Sequence, residues 1–542
     1  MSVETGIGED AASVNSLIPS PTHETAQIAR AAGVIALGNV ISRVLGLVRE
    51  TIKAHFFGAG GAVDAYTIAT LVPTMMYDLL VGGAVDSSLV PVFSELAEER
   101  REAMWALVSI LLSLVVVALA IFILVVELFA PQVAFLLSSG SSEAVLAQTA
   151  YLLRITVPAV LFLNLTGVLS GLLYAQKRFV FPAFAAALFN AGIVVMTLLF
   201  HSRIGIAAMA TGLLAGAVLQ FTLQLLGLRD ARLRFKLTLT HPGLRQIVTL
   251  YTPVVLGLLF EILISRTISY NLASRTGEGG ISWMSYATYV RQLPQGLVAT
   301  AVSFAVLPTL SVHAVKERSN GAGGAFRGTL AKGLRLVAVL IVPATVGLFI
   351  LAQPTIDLVF EHGSDFLPFD TLMTTQALQF YLLGLPFAAV DLLFIFAFYA
   401  RQDTLTPALI GVGVNILYLA AAILLLPSWG LFSLMIADSF KQFLHALVAG
   451  VILWRRLGGL DGHGLFRTLG VALIAASAMG LAAYGALIGM QTVFGVDGLL
   501  AEVLVVGVPG VIGVGVYLGL LSLMGVEEIR LLSSAVRQRL GR

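Results

Sequence analysis

The chain has 542 residues, of which 58% are apolar and 11% charged, and its mean hydropathy is +0.95. That composition excludes a soluble enzyme and indicates a polytopic membrane protein. A net charge of +2 spread over loops offers no nucleic-acid surface, and the lack of cysteine removes disulfides, thiol catalysis and thiolate metal sites.

Apolar runs of about twenty residues, rather than alternating segments of about ten, select helices over a β-barrel, so the expected fold class is an all-α polytopic membrane protein. Residues 1–30 carry Glu4, Glu9, Asp10 and Glu24 against Arg30 and read as a disordered cytoplasmic tail, having neither a basic n-region nor an apolar h-region. About fourteen transmembrane helices follow, near 31–57, 62–92, 104–129, 146–175, 180–201, 204–228, 245–274, 280–312, 328–353, 371–400, 405–427, 430–454, 465–490 and 499–524. A short amphipathic cytoplasmic tail, 526–542, closes the chain. With the first span starting in the cytoplasm, basic clusters at 229–236, 316–335 and 455–456 fall on that side, and only Lys53, Arg203 and Arg275 on the other. The bias predicts that both termini are cytoplasmic.

An internal repeat divides the spans. Tyr174-Ala-Gln-Lys-Arg-Phe-Val-Phe-Pro182, with Asn190 and Gly205 beyond, recurs 225 residues later as Tyr399-Ala-Arg-Gln-Asp-Thr-Leu-Thr-Pro407, with Asn415 and Gly430. Two six-helix lobes are expected, 31–228 and 245–456, joined by a cytoplasmic linker at 229–244 and followed by two C-terminal helices in 465–524. Six is even, so both lobes enter the membrane from one side; such parallel repeats are a transporter signature, with substrate bound where they meet.

The first span carries a stripe of Asn39, Arg43, Gly46 and Glu50, with Ser42, Arg49 and Lys53 beside it; the second carries Asp64, Thr67, Leu71, Thr74 and Asp78, continued by Gly82 and Asp86. A charged residue in hydrocarbon costs roughly 2.5–3.5 kcal/mol on insertion scales, which makes intramembrane arginines candidate functional groups. Arg43, Arg49, Arg266 and Arg291 are the candidates for binding an anion, since guanidinium stays charged and presents a fork to phosphate oxygens. A structural reading stands beside this one: Arg49 snorkels, and Arg43 pairs with Glu50 or Asp64. Asp64, Asp78 and Asp86 either hold a coupling cation or balance the arginines, and Glu261 and Asp391 are candidate proton or cation sites. Arg154 is more easily read as structural, and Lys441, one turn from Asp438, as half of an internal ion pair. His313, His362 and His445 stand alone, and no nucleophile has its base nearby in sequence, so no catalytic residue, metal or cofactor is expected. Pro73, Pro158, Pro253, Pro294, Pro343 and Pro386 fall inside spans as candidate kinks.

Ser42-Arg43-Val-Leu-Gly46-Leu-Val-Arg49-Glu50, Phe57-Gly-Ala-Gly60, Asp64-Ala-Tyr66, Leu89-Val-Pro91-Val-Phe93 and Tyr381-Leu-Leu-Gly-Leu-Pro386 through Pro407 resemble the MurJ (MviN) family of lipid II flippases, over about residues 31–455. The resemblance implies the fold of the multidrug/oligosaccharidyl-lipid/polysaccharide exporter superfamily, with a cavity lined by spans one, two, seven and eight. It implies movement of an undecaprenyl-diphosphate-linked peptidoglycan precursor from the inner to the outer leaflet of the bacterial cytoplasmic membrane by alternating access, driven by membrane potential or a coupling cation. The family's cavity arginines carry over to Arg43 and Arg49, with Glu50 in place of aspartate, and its last two spans form a lipid-tail groove. Asn39, Ser42, Asp64, Thr74, Tyr77, Asp78 and Tyr289 are expected to line the cavity. Two departures stand out. Thr74-Met-Met-Tyr77-Asp78 replaces Asn-Leu-Leu-Arg-Arg, and Tyr286-Ala-Thr-Tyr289 replaces Tyr-Ala-Asp/Asn-Arg; Arg291, two residues on, is turned by about 200°. The rival readings are another polyprenyl-linked glycan as cargo, a multidrug or cation exporter, and a transport-inactive scaffold recruiting wall-synthesis proteins.

Overall fold

A computed structural model describes residues 21–82, 85–99, 101–228, 231, 233–320, 324–363, 365–459, 464–494, 498–526 and 528. Most of the two expected tails, and the side chain of Asp86, lie outside the described residues. Regular structure among the described residues is helical throughout. In chain order the helices are α1 (Pro21–Phe57), α2 (Gly61–Leu80), α3 (Val90–Glu99), α4 (Arg101–Leu128), α5 (Ala130–Ser138), α6 (Glu143–Thr156), α7 (Ala159–Ala175), α8 (Val180–Ile204), α9 (Ala207–Leu226) and α10 (Pro242–Leu259). They continue as α11 (Thr267–Ser274), α12 (Gly280–Pro294), α13 (Ala301–Asn320), α14 (Gly324–Ile350), α15 (Ala352–Phe360), α16 (Pro368–Leu382), α17 (Leu385–Ala400), α18 (Leu405–Trp429), α19 (Phe432–Leu457), α20 (Leu465–Phe494) and α21 (Leu499–Leu523). Three wide π-turns interrupt them, at Val85–Leu89, Phe260–Arg266 and Gln295–Thr300.

Among the described residues nine helices are long and apolar enough to cross a membrane, or eleven when α6 with α7 and α16 with α17 each count as one broken span. Pro158 and Pro386 sit at those two breaks. The three remaining expected spans are helical: α1 carries the charged stripe, α2 stops at Leu80 before a π-turn, and α10 runs into another. Polar and broken helices are where function is expected in a lipid-embedded protein, because elsewhere the backbone must satisfy itself.

The chain forms two compact units: one takes the described residues through Arg49, with 76–125 and 155–254; the other takes 50–75, 126–154 and the remainder from Val255. In the first, Phe93, Trp105, Leu107, Leu169 and Leu172 share a buried core. There α8 and α9 approach so closely that a Cβ on Gly192 would come 2.6 Å from the Gly216 Cα, the small-residue contact typical of membrane helices. A Cβ on Gly38 of α1 would meet the Ala183 carbonyl of α8 at 2.2 Å, so glycine lets these helices touch and sets the register between them. In the second unit α12 packs on α16, α17 and α18 on α19, and the C-terminal pair α20–α21 on α14.

Backbone geometry repeats with the sequence. Lys177 and Gln402, 225 residues apart, are the two non-glycine residues with positive φ among the described residues, at 59° and 63°. Gly205 and Gly430 close α8 and α18 at φ 57° and 51°. The nine-residue helices α5 and α15 also correspond, each opening Ala-Pro-Gln or Ala-Gln-Pro.

Candidate functional site

The repeated asparagines organise the polar residues. In the first unit Asn190, buried on α8, donates to the Ala186 carbonyl at 3.1 Å and reaches the Ser42 carbonyl and hydroxyl at 3.3 and 3.4 Å. Its Oδ1 accepts from Arg49 Nη1 at 2.9 Å. Ser42 and Arg49 are two turns apart on α1, so one amide ties both to α8. Arg43 and Asn39 remain exposed.

In the second unit Asn415 repeats the pattern. It donates to the Gly411 carbonyl at 3.0 Å and accepts from Ser265 Oγ at 3.2 Å. Ser269, one turn on, bonds the Ser265 carbonyl at 2.7 Å and the Tyr418 hydroxyl at 2.8 Å. Ser265-Arg266 is therefore the counterpart of Ser42-Arg43, an equivalence the sequence reading missed. The signal was the shared Ser-Arg pair, hidden because Arg266 ends the π-turn Phe260–Arg266 and the offset differs slightly from that of the asparagines. Arg266 is half-buried, and both its guanidinium and the Glu50 carboxylate act electrostatically on Tyr270.

The expected structural pairs form differently. Glu50 pairs with Lys53 at 2.5 Å, both buried, and the Lys53 ammonium lies 4.4 Å from the centre of the buried Tyr286 ring. The aromatic face compensates part of the cost of burying the cation. Asp64, 2% exposed, accepts from the Gly279 and Ser282 amides at 2.7 and 2.8 Å and from the Ser282 hydroxyl at 2.6 Å. Its carboxylate thus caps α12, satisfying amides that a helix start leaves unpaired.

Arg291 donates to Asp438, whose other oxygen meets Lys441 at 3.2 Å; the guanidinium stacks 4.5 Å above Tyr381. Lys441 is paired as expected, but its carboxylate is shared with an arginine. Glu261 is half-buried within electrostatic reach of Tyr418. Asp391 bonds His445 Nδ1 at 2.5 Å, both buried, so the histidine that looked isolated has a partner 54 residues away. Thr74 is exposed and returns its hydroxyl to its own helix, at the Thr70 and Leu71 carbonyls. Tyr77, Asp78 and Tyr289 are half-buried. Arg154 lies 3.5 Å from the Glu127 carbonyl. Among the described residues no group of three or more His, Asp or Glu could hold a metal ion.

Outside the spans, on α15, burial and the carboxylates of Glu361 and Glu502 push the Asp357 carboxyl up to about 7. These groups can hold charge and exchange protons, and the exposed and half-buried arginines can bind an anion.

Helices long and apolar enough to cross a membrane, with a repeated turn geometry and charged residues inside them, define a helical membrane protein. Solved structures agree on that fold. "Lipid II flippase MurJ, inward closed conformation" superposes with a TM-score of 0.76 at 24% identity, covering 94% of this chain and 99% of that one. An inward-facing multidrug resistance MATE family transporter of the MOP superfamily superposes at 0.63 and 14% identity, covering 78% and 95%. The chain belongs to the MurJ family: the family model described as "Lipid II flippase MurJ" matches residues 53–505. The lipid II flippase MurJ of Burkholderia cenocepacia is 32% identical over 390 residues, 70% of this chain and 74% of that protein. The probable lipid II flippase MurJ of Haemophilus influenzae is 29% identical over 469 residues, 82% and 90% respectively. It is a multi-pass membrane protein.

Proposed function

We propose that this chain flips lipid II, the undecaprenyl-diphosphate-linked peptidoglycan precursor, from the inner to the outer leaflet of the bacterial cytoplasmic membrane, with both termini cytoplasmic. Family membership over most of the chain supports the cargo. The observation that carries the mechanism is the correspondence of Ser42-Arg43 to Ser265-Arg266, each serine bonded to a repeat-related asparagine within its own unit. One arginine per repeat is thereby anchored through its neighbour while its own fork serves the diphosphate.

Arg49 adds positive charge from the Asn190 joint. Arg291 has a carboxylate partner in place and must exchange it to reach a phosphate. Alternating access then requires the joints at Asn190 and Asn415 to survive while the repeats move. No covalent bond changes, so the chain acts as a transporter and not as an enzyme. The energy comes from membrane potential or a coupling cation, with Glu261 and the Asp391–His445 pair as the titratable groups available. The last two helices, α20 and α21, run beside the polyprenyl tail, and wall-synthesis proteins are the partners that consume the flipped cargo.

Complementation tests this reading. In a bacterium depleted of its own lipid II flippase, wild type should restore growth and outer-leaflet lipid II, while Arg43→Ala and Arg266→Ala, at normal membrane levels, should not. Failure of well-expressed wild type would reassign the cargo. Rescue by both variants would remove the arginines from the mechanism.

A further inference from the structure

At one end of the C-terminal helix pair, α14, α20 and the segment following α21 enclose a cavity of about 400 Å³ lined by Gly328, Lys332, Arg335, Arg467, Thr468 and Glu528. Arg335 Nε is paired with Glu528. Lys332 and Arg467 are exposed at its wall, so among the described lining residues there are three cations and one carboxylate. By the distribution of basic residues this is the cytoplasmic end, where the leaflet is anionic.

One turn deeper on α14 the lining changes. From Val339 to Gly347 the same helix, with Met479 on α20 and Gly513 and Tyr517 on α21, borders an apolar hollow of about 340 Å³. Four residues separate Arg335 from Val339, about 6 Å of helix rise. A cationic mouth on α14, α20 and the segment after α21, about one turn from an apolar hollow on α14, α20 and α21, has the polarity of an amphiphile with an anionic head.

We propose that the cavity between α14, α20 and the segment after α21 holds the phosphate headgroup of a resident anionic phospholipid, with Lys332 and Arg467 contacting the phosphate and Arg335, held by Glu528, completing the positive wall. A free phosphate has the same charge but no use for the apolar hollow. A polyprenyl diphosphate shares both features, yet the glycopeptide that lipid II carries is far larger than a cavity of about 400 Å³. Basic pockets between membrane helices on the cytoplasmic side are suited to phospholipid headgroups. The inference stands apart from the cargo reading, because it concerns a lipid that stays.

The test is retention of phosphatidylglycerol by the purified full-length chain, read by native mass spectrometry, for wild type, Lys332→Gln/Arg467→Gln and the charge-matched Arg245→Gln/Arg455→Gln on the same side. The pocket variant should lose phosphatidylglycerol by about ten-fold or more while the control changes by less than about two-fold. Lys332→Arg/Arg467→Lys should restore retention, which guards against a folding defect. Equal retention by wild type and pocket variant, or equal loss in both Gln variants, overturns the site. Displacement by millimolar inorganic phosphate overturns the lipid assignment in favour of a free anion. Displacement by undecaprenyl diphosphate hands the site to the cargo. Phosphatidylglycerol retention is independent of complementation, so either reading can fail alone.

Discussion

The two repeats make the same joint with different partners. In the first, Asn190 accepts from an arginine and donates to a serine, so a charged hydrogen bond fastens α1 to α8. In the second, Asn415 receives only a neutral hydroxyl, and a Ser269–Tyr418 bond one turn on shares the task. Hydrogen bonds to a charged group contribute about 1.5–3 kcal/mol and neutral ones about 0.5–1.5. The first joint is therefore stiffer in one bond, and the second distributes its strength over two.

The largest effect to expect from that comparison is functional. If the repeats are equivalent in use, Arg43→Ala and Arg266→Ala each reduce lipid II flipping at least about ten-fold, the loss of roughly 1.4 kcal/mol of binding. An assay in reconstituted vesicles reads both, and a loss confined to one variant breaks the equivalence. Next comes stability: Asn190→Ala should cost about 2 kcal/mol and Asn415→Ala about 1 kcal/mol. Denaturation in detergent orders them, and a reversed order contradicts the stiffer first joint. Asp64→Asn keeps the shape of the α12 cap but removes its charge; about 1 kcal/mol is the expected cost, read the same way.

A pH effect should arise at α15, which contains Asp357, and not at its counterpart α5, which contains no acid. The folded chain holds the Asp357 proton up to about pH 7, whereas the unfolded chain releases it near pH 4. Native protein thus binds more protons across that window, and stability falls as pH rises from about 4 to about 7. Asp357→Asn should flatten this slope in thermal unfolding; an unchanged slope assigns it elsewhere. The smallest effects are Lys177→Gly and Gln402→Gly, where relief of left-handed strain and added unfolded entropy nearly cancel, leaving less than about 1 kcal/mol. The two should agree in sign.

The all-helical fold and the repeat were legible because apolar runs and the Tyr-Ala…Pro turns depend on local sequence, and the paired positive φ values of Lys177 and Gln402 sit inside those turns. The span count was less so: two expected spans are each broken into a bent pair of helices, and π-turns interrupt three others. At the site, the residue types were readable and their partners were not. Nothing near Asp64 in sequence announces that it caps a helix starting at Gly280. Lys53 reads as a cation beside the first span's stripe, yet it lies under Tyr286 against Glu50. His445 reads as isolated because Asp391 is on another helix. Each of these contacts is made by packing, which periodicity does not encode.

The three π-turns lie in spans two, seven and eight, three of the four that the family resemblance assigns to the cavity. A π-turn is an ordinary helix holding one surplus residue. That surplus behaves like a ruck in a carpet: it can travel along the helix one position at a time, and each step turns the side chains it passes by about 100° with no span unwound. Glu261 and Arg266 both sit within such a ruck. A helix built this way can change which residues it shows to its neighbours while its two ends stay where they are.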